Sequence, residues 1–120
     1  MTLKECYDAI GGGYEEVMGR LRTEERVKKF VFKFLADKSF PTLAAALEEG
    51  NGEEAFRAAH TLKGVSQNLS LNRLYESSHR LTEELRGGMG AGAGSLFEQV
   101  KTDYEAAAAA IKTLQESETV

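Results

Sequence analysis

Apolar residues recur at spacings of three and four along most of the chain, the period of one face of an α-helix. Val27, Phe30, Val31, Phe34 and Leu35 form one such series. Leu71, Leu74, Ser78, Leu81 and Leu85 form a second, and Phe97, Val100, Tyr104, Ala107, Ile111 and Leu114 a third. No stretch sustains the alternation of a half-buried strand, and Asn51-Gly52 lies between helical segments, where it makes no hairpin. The punctuation suits helices. Thr2-Leu3-Lys4-Glu5 has capping-box form and opens a short helix that Gly11-Gly12-Gly13 ends. Tyr14, Val17, Met18 and Leu21 mark a second short amphipathic piece. Thr23 caps a longer helix. Ser39, with Pro41 in the first turn, starts another, which carries Leu43, Ala46 and Leu47 and stops at Gly50. Asn51-Gly52-Glu53-Glu54 repeats the capping-box pattern and opens a helix that runs to about Leu69. Ser70 is placed to cap the next. Five glycines between residues 87 and 94 predict a flexible loop, after which Ser95 opens the last helix. Residues 116–120 read as a frayed polar tail. Short links favour antiparallel neighbours. The pattern therefore predicts an all-α fold, an up-down antiparallel four-helix bundle with a short N-terminal helical lead-in.

Composition narrows the class. A chain of 120 residues, 42% hydrophobic and 28% charged, suits a single domain over 1–120 with a core at about 23–115. A net charge of −4 disfavours nucleic acid and anionic membrane as partners, since both call for a basic face. The single cysteine, Cys6, can form no internal disulfide and builds no structural zinc site alone. The N-terminus lacks the apolar run of a signal peptide, and no window approaches the roughly 20 apolar residues that span a bilayer. The expected compartment is the cytoplasm.

The helix from Asn51 to Leu69 has two faces. Successive residues advance by about 100°. With Ala58 at zero, Ala55, Leu62, Val65 and Leu69 fall within roughly 60° and form the core stripe. His60 falls at about 200°, and Phe56, Lys63, Gly64 and Gln67 lie within about 60° of it. A solitary exposed histidine is usually just solvated, and a nearby lysine is common. Gly64 is harder to dismiss. A glycine inside a helix costs about 1 kcal/mol relative to alanine, and on the outward face it packs nothing in the monomer. It suggests that another body approaches the backbone there.

An exposed imidazole with free space beside it suits covalent carriage of a group. Its reference pKa of about 6.5 leaves neutral, nucleophilic nitrogen near pH 7. A phosphoryl group placed on it would be anionic. Lys63, one turn along, could screen that charge, and Gln67, two turns along, could hydrogen-bond the ring or the phosphoryl oxygens. The face has no machinery to drive a reaction alone. It has the character of a docking station for a partner's active site.

His60-Thr61-Leu62-Lys63-Gly64 resembles the His-x-Leu-Lys-Gly signature of histidine phosphotransfer (HPt) domains, and Asn68-Leu69 and the following helix look like that family too. The resemblance covers roughly residues 1–115. One departure is Ser70, where members often have glycine after the Asn-Leu pair. The resemblance implies a four-helix bundle acting in multistep two-component phosphorelays. It implies that His60 takes a phosphoryl group from the aspartate of one response-regulator receiver domain and passes it to another. Lys63 and Gly64 match the family's lysine and glycine, and the receiver supplies the Mg²⁺, so no cofactor of the chain's own is implied. The expected partners are receiver domains and a hybrid sensor histidine kinase, met by a monomer across Phe56, Gly64 and, from the neighbouring helix, Phe32.

Rival readings are weaker. No G-x-x-x-x-G-K-[ST] loop is present, which argues against a kinase proper. Glu76-Ser77-Ser78-His79 spells the Glu-x-x-His of di-iron bundles, but that scheme needs a second motif and two more inward glutamates. A phosphate-free adaptor would not need the His-Lys-Gly set. The phosphotransfer domain of a chemotaxis-type kinase stands as the nearest alternative.

Overall fold

The computed structural model describes residues 1–118, which form seven helices and, among the described residues, no strand. These are α1 (Leu3–Ala9), α2 (Tyr14–Leu21), α3 (Glu24–Phe34), α4 (Ser39–Glu48), α5 (Gly52–Asn68), α6 (Asn72–Leu85) and α7 (Ala93–Glu118). The polar starts predicted from sequence do their work. Thr2 and Glu5 close a reciprocal capping box, Thr23 accepts from the Arg26 N–H, and Asn51 accepts from the Glu54 N–H. Before α4 the N-cap Lys38 makes no side-chain cap bond, and the Asp37 carboxylate accepts from the Ser39 N–H at 2.8 Å instead. Gly50, with φ +72°, turns the chain sharply out of α4, a conformation that other residues reach only with strain.

Burial follows the helical period. Leu71, Leu74, Ser78, Leu81 and Leu85 are all buried, as are Val100, Ala107, Ile111 and Leu114 of α7. Packing runs in chain order, α4 on α5, α5 on α6 and α6 on α7, while α1 and α3 also lie against α7. Phe40 of α4 stacks on Tyr104 and Phe97 of α7, and Phe34 of α3 tilts onto Tyr104, joining three helices through one aromatic cluster. Cys6 is fully buried, and burial pushes its thiol up to about 11, so it offers no reactive thiolate.

Four expectations need correction. Phe30 belongs to the periodic series of α3 but is 41% exposed, because it points past the core toward the outer end of α5. Ser70 does not cap α6. Leu71 is the N-cap, and Ser70 takes φ +52°, the left-handed region that favours glycine. The last helix begins at Ala93, two residues before Ser95, because Ala93 is buried and Gly92 C=O accepts from the Leu96 N–H. Finally, residues 116–118 of the supposed tail belong to α7, and Glu118 pairs with Lys28 at 2.7 Å. Residues 119–120 lie outside the described residues.

The N-terminal lead holds the α5–α6 junction. The buried Tyr7 hydroxyl donates to Leu69 C=O at 2.7 Å, the Gly13 N–H donates to Ser70 C=O at 2.8 Å, and Arg20 donates to the Ser70 hydroxyl and to Gln67 C=O. These contacts fix Ser70 in its left-handed conformation. Tyr7→Phe leaves the Leu69 carbonyl without this donor and should lower stability by about 1–3 kcal/mol, measured by urea denaturation. An unchanged midpoint would show that the junction does not depend on this bond.

Candidate functional site

Helix α5 owes its place to small residues. Ala55, Ala58 and Ala59, with Leu62 and Ser66, form its buried stripe, and their size lets α4 and α6 close on it from two sides. Ser66 is fully buried because its hydroxyl donates to Leu62 C=O at 2.7 Å, which lets a polar residue enter the core; the apolar period alone does not include it. Val65, by contrast, is only partly buried.

On the opposite face His60 and Gln67 are exposed, and Phe56, Lys63 and Gly64 are half-buried. The structure therefore brings five of the six predicted site residues onto one face. Among the described residues the His60 ring nitrogens make no hydrogen bond, and the one ring beside it is that of Phe56, centroid to centroid 6.2 Å. Lys63 makes no salt bridge within 4.0 Å to any described residue. A Cβ built on Gly64 meets nothing within 4 Å, so no internal contact requires glycine there. The sixth residue, Phe32, packs partly buried against the core. On α3 the exposed ring is that of Phe30. With Lys33, Phe34 and Asp37 it faces Val65 and Asn68 across a groove of about 220 Å³.

Helix α6 adds charge that the one-helix reading misses. Phe56, near the start of α5, lies under the Arg86 guanidinium, 5.3 Å from the ring centroid and just past the end of α6, so the two helices run antiparallel. Arg86 in turn donates to Glu83 at 2.7 and 3.3 Å. That hydrogen bond, reinforced by the charges of Arg86, His79 and Lys63, holds the Glu83 carboxyl below its ordinary value. Pairing the start of α5 with the end of α6, as an antiparallel link demands, is the signal that could have found both residues.

His79 is half-buried and stacks on Tyr75 with centroids 6.0 Å apart, and its Nδ1 is buried without a hydrogen-bond partner. Glu76 is exposed, and among the described residues no group of three or more His, Cys, Asp or Glu side chains converges as a metal site would require.

The whole arrangement is an exposed imidazole whose nitrogens make no hydrogen bond to a described residue, with Lys63 one turn along the same face and open space at Gly64. Comparison with family models finds the Hpt domain, matched over residues 31–110. No curated protein and no solved structure matches the chain.

Proposed function

Since the chain belongs to the Hpt domain family, we propose that it is a histidine-containing phosphocarrier of a multistep phosphorelay, with His60 carrying the phosphoryl group between receiver aspartates. Histidine phosphotransfer in two-component signalling follows from the family. The observation that carries the finer reading is the free pair of His60 nitrogens on an exposed face beside Lys63 and the open space at Gly64.

In the proposed step a lone pair of a neutral His60 nitrogen attacks phosphorus in the receiver's aspartyl phosphate. The N–P bond forms as the P–O bond breaks, the electron pair leaves on the aspartate carboxylate, and the ring keeps the proton on its other nitrogen. Onward transfer is the reverse with a second aspartate. The receiver supplies Mg²⁺, and this chain contributes position and charge. Lys63 and Gln67 sit on the same face to meet the phosphoryl oxygens. Phe56 and Gly64 provide the surface on which the receiver rests. Phe30 and its groove extend that surface on the α3 side, while Phe32, partly buried against the core, remains the one residue of the expected docking set off this face. The scaffold we infer is the up-down four-helix bundle, a monomer in the cytoplasm, taking phosphate by way of a hybrid sensor kinase. The links 49–51, 69–71 and 86–92 are short enough for antiparallel neighbours.

Incubation with a phosphorylated receiver and Mg²⁺ tests the reading. The chain should acquire label that is stable in alkali and lost in acid. Acid-stable label, or none from any receiver of the host, would overturn it. Lys63→Ala should slow the transfer about fivefold, equivalent to about 1 kcal/mol for one exposed charge-assisted contact, and should shorten the phosphohistidine lifetime. Unchanged rates would remove Lys63 from the site.

A further inference from the structure

The Glu83–Arg86 pair is linked to His60 through the Phe56 ring. The His60 ring is 6.2 Å from the Phe56 ring, the Arg86 guanidinium is 5.3 Å from that same ring, and Arg86 holds Glu83 at 2.7 Å. The Arg86 side chain is 56% exposed and that of Glu83 46%, and an exposed pair of this kind contributes little to stability. Lys63, one turn from His60 on the same helix face, also acts on Glu83 through its charge.

Resting on the phosphocarrier reading above, we propose that Glu83 is a positioning residue that sets how strongly His60 retains a phosphoryl group. While His60 is free, Glu83 engages Arg86 and attracts Lys63, which keeps the cationic border balanced. When His60 carries a phosphoryl group, its oxygens compete for the same cations. A phosphoryl group offers more charge and more acceptor oxygens than one carboxylate, and the exposed pair is weak enough to open. Glu83 is then left near a second anion. It thereby raises the free energy of the phosphorylated form and favours passing the group on. No bond to Glu83 is made or broken in the transfer. Its whole effect is electrostatic.

The test is the equilibrium of exchange between the full chain and a receiver domain that phosphorylates the wild-type protein, with Mg²⁺ present. Glu83→Gln keeps size and helix propensity while removing the charge. It should raise the equilibrium ratio of phosphohistidine to phosphoaspartate about threefold at low salt, the order expected for one exposed charge. Glu83→Asp keeps the charge and should restore the wild-type ratio. In 1 M salt, where screening acts over about 3 Å, the difference between wild type and Glu83→Gln should largely vanish. An unchanged or lowered ratio in Glu83→Gln would overturn the proposal. So would an increase that survives 1 M salt undiminished, or one that Glu83→Asp shares, since either result would mean a role in shape and not in charge. Failure of the wild-type chain to accept phosphate at all would instead strike the phosphocarrier reading itself.

Discussion

His60→Gln is expected to abolish phosphoryl labelling while leaving the helical fold unchanged. Glutamine is polar, of comparable size, and has no nucleophilic ring nitrogen. The wild-type ring makes no hydrogen bond to a described residue and touches only Phe56 among the rings, so the fold loses almost nothing with it. An exposed substitution of this kind shifts stability by no more than about 0.5 kcal/mol. Circular dichroism and a urea midpoint should match wild type, and the label from a phosphorylated receiver should fall to background. The chain's other histidine provides the internal control. His79 is half-buried, stacked on Tyr75, and its Nδ1 is enclosed. Label that persists in His60→Gln, or that moves to His79, would defeat the assignment of His60 as the phosphoryl acceptor.

The second large effect is expected at Gly64, where stability and activity should move in opposite directions. Nothing lies within 4 Å of a Cβ built there, and Gly64 sits in the interior of α5. Gly64→Ala should therefore stabilise the protein by about 1 kcal/mol through helix propensity alone. Gly64→Leu should fold at least as well as wild type, yet project a branched side chain beside His60 on the face proposed to meet the receiver. Phosphoryl transfer needs in-line contact between nitrogen and phosphorus, and displacement by about 1 Å can cost on the order of 10²-fold in rate. The expected result is a more stable protein that transfers on the order of 10²-fold more slowly. Normal transfer by a well-folded Gly64→Leu chain would refute the account of this glycine as clearance.

Features governed by near neighbours along the chain are legible in the amino-acid sequence alone. Thr2, Thr23 and Asn51 cap their helices because a cap involves residues within one turn, and the two faces of α5 follow from a fixed advance per residue. The shared face of His60, Lys63, Gly64 and Gln67 is legible for the same reason, since the four lie on one helix. What the sequence hides depends on partners far along the chain. Ser70 looks like a cap, but its hydroxyl pairs with Arg20 and its carbonyl accepts from Gly13, both fifty or more residues earlier. Phe30 fits the apolar period of α3, but it stays 41% exposed, with the Lys33 ammonium 5.8 Å from its ring centroid. Glu83 and Arg86 look like an ordinary exposed i,i+3 pair until the antiparallel packing of α6 sets Arg86 over Phe56. Periodicity reports which side of a helix is wet. It does not report what stands opposite.

The bonds from Tyr7, Gly13 and Arg20 to the α5–α6 junction have a practical meaning for anyone dissecting this chain. The region matched by the family begins at residue 31, whereas all three of these residues precede it. The region matched by the family thus stops short of residues whose bonds hold the junction next to His60's helix. A fragment cut at residue 31 keeps His60, Lys63, Gly64, Glu83 and Arg86, yet it strips the junction of its outside support and leaves Ser70 strained. Poor transfer by such a fragment would report a loosened scaffold, not faulty chemistry, and only the longer chain is a fair vehicle for measuring what the histidine does.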